Sequence, residues 1–520
     1  WRDCVGLALG RPLKEGEDKA LQDRFEAARR RAAFEGKATD DASIAQRIAT
    51  EIGIEEALAK RNVLLAQKAY KAAKQYLDAF GNKALGLRAM LAGINEVLPG
   101  GRDSIDARIK GIYQEEFLGA MLADFRKAGA EMNADLLRWA QLSENELAIR
   151  QALRGEKVAD PMAAKAAEIL NKYLDRARLA ENAAGSWIGK LEDYGGGQSH
   201  DARKVFRAAG KTPKNAAETE AAFRAWREFA APLMDRERIL AGLDHSDFDR
   251  FLRDTWNAIA SDRWETASGG TFTGLHHFIG PSNLARRHSE AHRVLHFKDA
   301  AAAQAYNDRF GNGSLFESVL GRLERSARAT ALMERLGPNP EAMLQRLRGE
   351  YAKAAEAAGD VIGARDLAHK KIDHIDNLFA EVTGATRQAA NKDMAYWASA
   401  LRALESMSKL GAATLSSFGD IATVAAELRY HGRGFLDSYA DALGGLFRGR
   451  GSGEKRIIAD LVGVGMEGIA GGVHARFHST DGAVGTMSRL LNQMFRFNLL
   501  NWWTDAHKTT AGLVTSRYFA

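Results

Sequence analysis

Apolar residues recur every three to four positions along most of this chain, the spacing that lines one face of an α-helix. Ile44, Ile48, Ile52 and Ile54, then Ala57, Leu58, Leu64 and Leu65, keep it up to Phe80, where Gly81 interrupts. In SLFESVLGRLERSARATALMERLG, Leu315, Val319, Leu323, Ala327 and Ala331 form an apolar stripe. Arg322, Arg325 and Arg328 form a basic one on the same predicted helix, which GPNP (Gly337 to Pro340) ends. Asp299 predicts an N-cap for AAAAQAYNDRFG, with Gly311 closing that helix. Ser143 and Glu146 in SENELAIRQAL predict a capping box. Runs alternating with a period of two are few. The pattern predicts an all-α, multi-helix and elongated fold, with long helices, glycine-rich hinges and little or no β-sheet.

Punctuation divides the chain. Asp193 to Asp201 (DYGGGQSHD), Ala267 to Asn283 and Phe447 to Lys455 read as glycine-rich loops or linkers. They predict an N-terminal helical region over 1–194, a middle region over 195–340 with a long loop near 267–283, and a long-helix region over 341–520. No fixed-period repeat is present.

Composition sharpens this picture. The chain's 520 residues, 46% hydrophobic and 27% charged, suit a globular protein with a sizeable core. Only 8 prolines occur, none after Pro340, which favours uninterrupted helices. Ten of the 50 glycines fall between Asp441 and Gly472, marking a bent or closely packed stretch. Cys4 is the only cysteine, so intrachain disulfides and thiolate-rich metal sites are excluded. No apolar run reaches the ~20 residues of a transmembrane helix. The opening WRDCVGL lacks a Met, which suggests that the numbering begins inside a longer or processed polypeptide. A net charge of +6 permits contact with nucleic acid or anionic lipid without requiring it.

Several clusters have the residue types for chemistry. His288, His292 and His296 share one predicted helical face, with His276 and His277 upstream, and imidazoles four apart can chelate zinc. Further ligands are not evident, and hydrogen-bonding histidines are the competing reading. Asp373, His374 and Asp376 read as a solvated helix face or an acid/base group. Arg24, Arg29, Arg30, Arg31 and Lys37, like Arg286 with Arg287, read as solvated charge or as phosphate contacts. GVGMEGIAGG (Gly463 to Gly472) lacks the spacing and preceding strand of a cofactor loop and reads as close helix packing. Nucleophile elbow, phosphate-binding loop, dinucleotide fingerprint and zinc-protease motif are all absent. No catalytic residue and no cofactor are expected.

The end of the chain raises a different kind of site. Between Phe495 and Trp503, six of nine residues are apolar and point around most of a helix. Such a helix is buried in protein or lipid, and nine residues cannot cross a bilayer. Phe495, Phe497, Leu500, Trp502 and Trp503 are therefore predicted to contact a partner or a membrane interface.

Three blocks carry a resemblance. HRVLHFKDAAAAQAYNDRFGNGSLFESVLGRLERSARATALMERLGPNP (His292 to Pro340), LGAATLSSFGDIA (Leu410 to Ala422) and NLLNWWTDAHK (Asn498 to Lys508) stand in this order. Together they resemble the large internal virion proteins of phages and prophages, over about residues 245–520. That resemblance implies a structural protein carried in a tailed-phage head and ejected with the genome into the host envelope, as part of a core or channel. It implies homo-oligomers, portal or other internal virion partners, and contact with DNA or a membrane interface. The blocks bring no catalytic residues. Alternatives are a helical module of a peptidoglycan-degrading enzyme and a packaged DNA-binding or portal-associated scaffold protein.

Overall fold

The computed structural model describes residues 1–385 except 11, 14–16, 94–103, 192–194, 196–198, 242–246, 261–283, 286–294, 312 and 369–373. The chain divides into two units, Trp1–Ala385 and Thr386–Ala520, of which only the first contains described residues. Helix makes up 79% of the described residues and no sheet is present among them, so the fold is all-α. An isolated antiparallel bridge between Met234 and Phe297 is the β feature seen there.

Three helices open the chain: α1 (Arg2–Leu9), α2 (Glu17–Phe34) and α3 (Asp41–Asp78). Asp40 starts α3 by accepting from the Ser43 amide at 2.9 Å, satisfying one donor of the first turn. Val5, Leu21, Phe25, Ala28, Ala32, Ile44, Ala45 and Ile48 join the three into a small core. At 38 residues α3 is about 57 Å long, and its middle leaves that core. Ile54 and Leu64, two members of the predicted stripe, are exposed there with Val63. Farther on, Ala69, Ala73, Tyr76 and Leu77 are buried again.

Next come α4 (Lys83–Ala92) and a continuous rod: α5 (Ile105–Lys110), a π-helical segment (Gly111–Gly119) and α6 (Ala120–Glu131). α7 (Leu136–Ala140), α8 (Glu146–Leu153) and α9 (Pro161–Ala184) follow. α8 does not begin with the predicted capping box. A 3₁₀ turn over Ser143–Asn145 comes first, Asn145 takes the cap position while its side chain donates back to the Trp139 carbonyl at 2.9 Å, and Glu146 is drawn into the interior.

A second core gathers around α10 (Ala202–Phe206), α11 (Ala216–Ala230), α12 (Arg236–Ala241), α13 (Phe248–Ala260) and α14 (Ala300–Phe310). Its centre is aromatic: Phe223, Trp226, Phe251, Trp256, Phe297, Tyr306 and Phe310 are all buried. A fully enclosed indole such as Trp226 contributes on the order of 4–6 kcal/mol by area. The Asp299 cap forms as predicted, accepting from the Ala302 amide at 2.7 Å, and α14 ends before Gly311.

α15 (Leu315–Leu336) is the predicted striped helix, and Leu315, Val319, Leu323, Ala327 and Ala331 are all buried. It carries a full capping box between Ser314 and Glu317. α15 packs along α9, where Glu181, wholly buried, accepts from the Ser326 hydroxyl and pairs with Arg322 at 2.9 Å. Gly337 ends α15 at φ +79°, and a Cβ there would lie 3.1 Å from Ala66 Cα, so α3 passes close by. α16 (Pro340–Ala357), α17 (Val361–Ala368) and α18 (His374–Thr383) complete the described chain.

Candidate functional site

Among the described residues, a buried polar group lies between α8 and α14. Arg150 Nε donates to Gln304 Oε1 at 2.7 Å, while Gln304 Nε2 donates to Asp308 Oδ1 at 2.8 Å and to Glu146 Oε2 at 3.4 Å. The Gln304 amide thus relays between a guanidinium and two carboxylates. Glu146 and Arg150 sit one turn apart on α8, 5% and 3% exposed. Burial raises the Glu146 carboxyl above its ordinary value, against the pull of Arg150 and the Gln304 bond. The same burial lowers Arg150, which nonetheless stays charged. A carboxyl raised above its ordinary value beside a second carboxylate is a chemistry-bearing pair in an enzyme. Here, however, Glu146 has almost no exposed surface on which to meet a substrate, and the network ties two helices together. Arg154 and Glu156 extend it: Arg154 donates to the Phe297 carbonyl at 3.1 Å and Glu156 accepts from the Ala300 amide at 2.9 Å.

A second group gathers at Tyr306, on the far side of the same turn of α14. Trp226 Nε1 donates to the Tyr306 hydroxyl at 3.3 Å, and His200 Nδ1 lies 3.2 Å from that same oxygen. The phenol accepts from the indole and shares a second hydrogen bond with Nδ1, whose direction follows the tautomer of His200. Burial pushes His200 down to about 4 and Tyr306 up. Asn307 joins α14 to the preceding loop by accepting from Ser199 at 3.0 Å.

The residues singled out in the sequence fall into three groups. The basic cluster of α2 meets carboxylates: Arg24 pairs with Glu51 and Glu55, Arg29 with Asp41, Arg31 with Glu51 and Lys37 with Glu35. Asp376 is not a merely solvated group, because it pairs at 2.8 Å with Arg348, which is buried and also donates to the Leu367 carbonyl. His296 contributes its backbone carbonyl, accepting from the Asp235 amide at 2.8 Å. His288, His292, Asp373, Arg286, Arg287, the 267–283 loop, Gly463 to Gly472 and all five contact residues from Phe495 to Trp503 lie outside the described residues. Among the described residues no three or more His, Cys, Asp or Glu are grouped to hold a metal ion, and no helix is long and apolar enough to cross a membrane.

A partner-contact candidate that sequence reasoning missed lies just after α9. Trp187 is 51% exposed, yet the backbone on both sides of it is fastened. Arg61 donates to the Gly185 and Ser186 carbonyls at 2.7 and 2.8 Å. Beyond the tryptophan, Ile188 accepts from Arg178 at 2.9 Å and Asn182 at 3.0 Å, and donates to Asn182 at 2.6 Å. A large aromatic presented on a fixed main chain is a low-entropy contact element. The sequence signal was its position two residues after the helix-ending Gly185, in AAGSWIG.

Set against known protein families, curated proteins and solved structures, the chain matches none.

Proposed function

We propose that this chain is a structural internal virion protein of a tailed phage, part of the apparatus that leaves the head with the genome and forms a core or channel in the host envelope. The identity of that apparatus rests on the three-block resemblance. The observation that carries the assembly role is Trp187, an exposed aromatic on a backbone fastened at both flanks, the rigid kind of anchor that contact surfaces use. An all-helical chain without disulfides also suits passage through a narrow tail, because helical contacts are largely local and re-form quickly.

The companions in this reading are further copies of the chain, portal or other internal virion proteins, and a membrane interface met through Phe495, Phe497, Leu500, Trp502 and Trp503. DNA contact draws on the net positive charge, since the α2 arginines are engaged by carboxylates of their own chain. Mass spectrometry of purified virions, with sedimentation and liposome flotation of the isolated protein, tests the proposal. Presence in the particle together with self-association or lipid binding supports it. Absence from virions, with a monomer that ignores liposomes, sinks it. The competing enzyme-module reading predicts cleared bands in a peptidoglycan gel.

A further inference from the structure

The rod from Ile105 to Glu131 contains a hydrophobic phase slip. Ile105 and Ile109 face inward on α5, and Met121, Leu122 and Phe125 face inward on α6. In an unbroken α-helix at about 100° per residue, Phe125 would stand roughly 200° around the axis from Ile105, on the opposite side. The nine residues between Gly111 and Gly119 are π-helical, a form of about 4.4 residues per turn that advances only about 82° per residue. Over that length the lag is roughly 160°, which returns Phe125 to within about 40° of Ile105.

Two features keep the wide turn in place. A Cβ on Gly119 would lie 2.8 Å from the Gln114 carbonyl oxygen, a backbone atom that cannot swing aside, so the π turn requires glycine there. Arg108, just before the segment, donates to Glu116 within it at 2.6 Å and to Glu334 on α15 at 2.8 Å.

We propose that Gly111–Gly119 is a register switch, with a π form that buries Met121 and Phe125 and an all-α form that turns this face outward. Arg108 holds the first form through its two ion pairs. The switch is independent of the phage reading and stands or falls separately.

The test is oxidative footprinting of the full chain, comparing Met121 with Met333, a buried residue of α15. Arg108→Ala should speed Met121 oxidation about three- to tenfold, as expected from losing partly exposed ion pairs, while Met333 is unchanged. Deleting Gln114 and Glu115, both exposed, puts Phe125 in line with Ile105 in a plain α-helix and removes the need for the wide turn. That variant should fold, and should keep Met121 protected even with Arg108→Ala. An unchanged Met121 rate in Arg108→Ala, or Met121 and Met333 rising together, overturns the proposal. So does a deletion variant that fails to fold or exposes Met121. If Arg108→Ala itself does not fold, Glu116→Gln is read by the same criteria.

Discussion

The Tyr306 hydroxyl and His200 Nδ1 are 3.2 Å apart, and Trp226 Nε1 donates to the same oxygen. This relationship makes neutral His200 part of the packed middle region and links its stability to pH.

Because burial holds His200 at about 4, below its ordinary 6.5, the unfolded chain binds more protons between those values. Stability from this group is complete above about 6.5 and is lost as pH falls toward 4, by ~2–3 kcal/mol for a ring with partial solvent access. Thermal unfolding measured from pH 7.5 to 4.5 should show the fall, and His200→Asn should flatten it. Glu146 slopes the other way, since its raised carboxyl favours the protonated folded state. An equal slope in His200→Asn and the parent chain would contradict the assignment.

The two ends of the α8 network should respond unequally. Burial already works against the charge of Glu146, and a glutamine there still offers an acceptor to Gln304 Nε2, so in Glu146→Gln denaturant unfolding should change by less than ~1 kcal/mol. Arg150→Met leaves the Gln304 oxygen and the two carboxylates without their cation and should cost ~2–4 kcal/mol.

Gly337→Ala should destabilise by ~1–3 kcal/mol, opposite in sign to the usual gain from replacing a helix glycine. Its φ of +79° disfavours a side chain, and the added carbon would press on Ala66 Cα at 3.1 Å. A rise in melting temperature would show that α3 and the end of α15 are not so closely opposed.

Trp187→Ala should cost monomer stability about 1–3 kcal/mol, in keeping with a half-buried indole, and weaken self-association or partner capture by tenfold or more. Sedimentation velocity across a concentration series reads both quantities on one sample.

Much of the fold was legible because its spacing is local. The α15 stripe could be read from i, i+4 repeats, and the Asp299 cap from one acidic residue before an alanine run. Ser143 misled because its capping partner three residues on, Glu146, has a stronger claim in three dimensions: Gln304 lies 158 residues away and is invisible to a local rule. The α3 stripe showed a helix but not its exposed stretch, since Ile54 and Leu64 have the spacing of buried residues without neighbours to bury them. Between Ile105 and Phe125 a 3.6-residue period cannot follow the apolar positions at all, because the backbone itself changes pitch there. Trp187 was hidden for the opposite reason: one aromatic after a helix carries no period, and only the bonds from Arg61, Arg178 and Asn182 reveal that it is fixed.

The aromatic assembly around Trp226 and the mainly aliphatic one around Ile44 share no interior side chain. Warmth need not dismantle them together. Indole emission samples both, from Trp226 and Trp256 in the former and from Trp1, which packs beside Phe25 against the latter, so separate loosening would write itself as two steps in one colour.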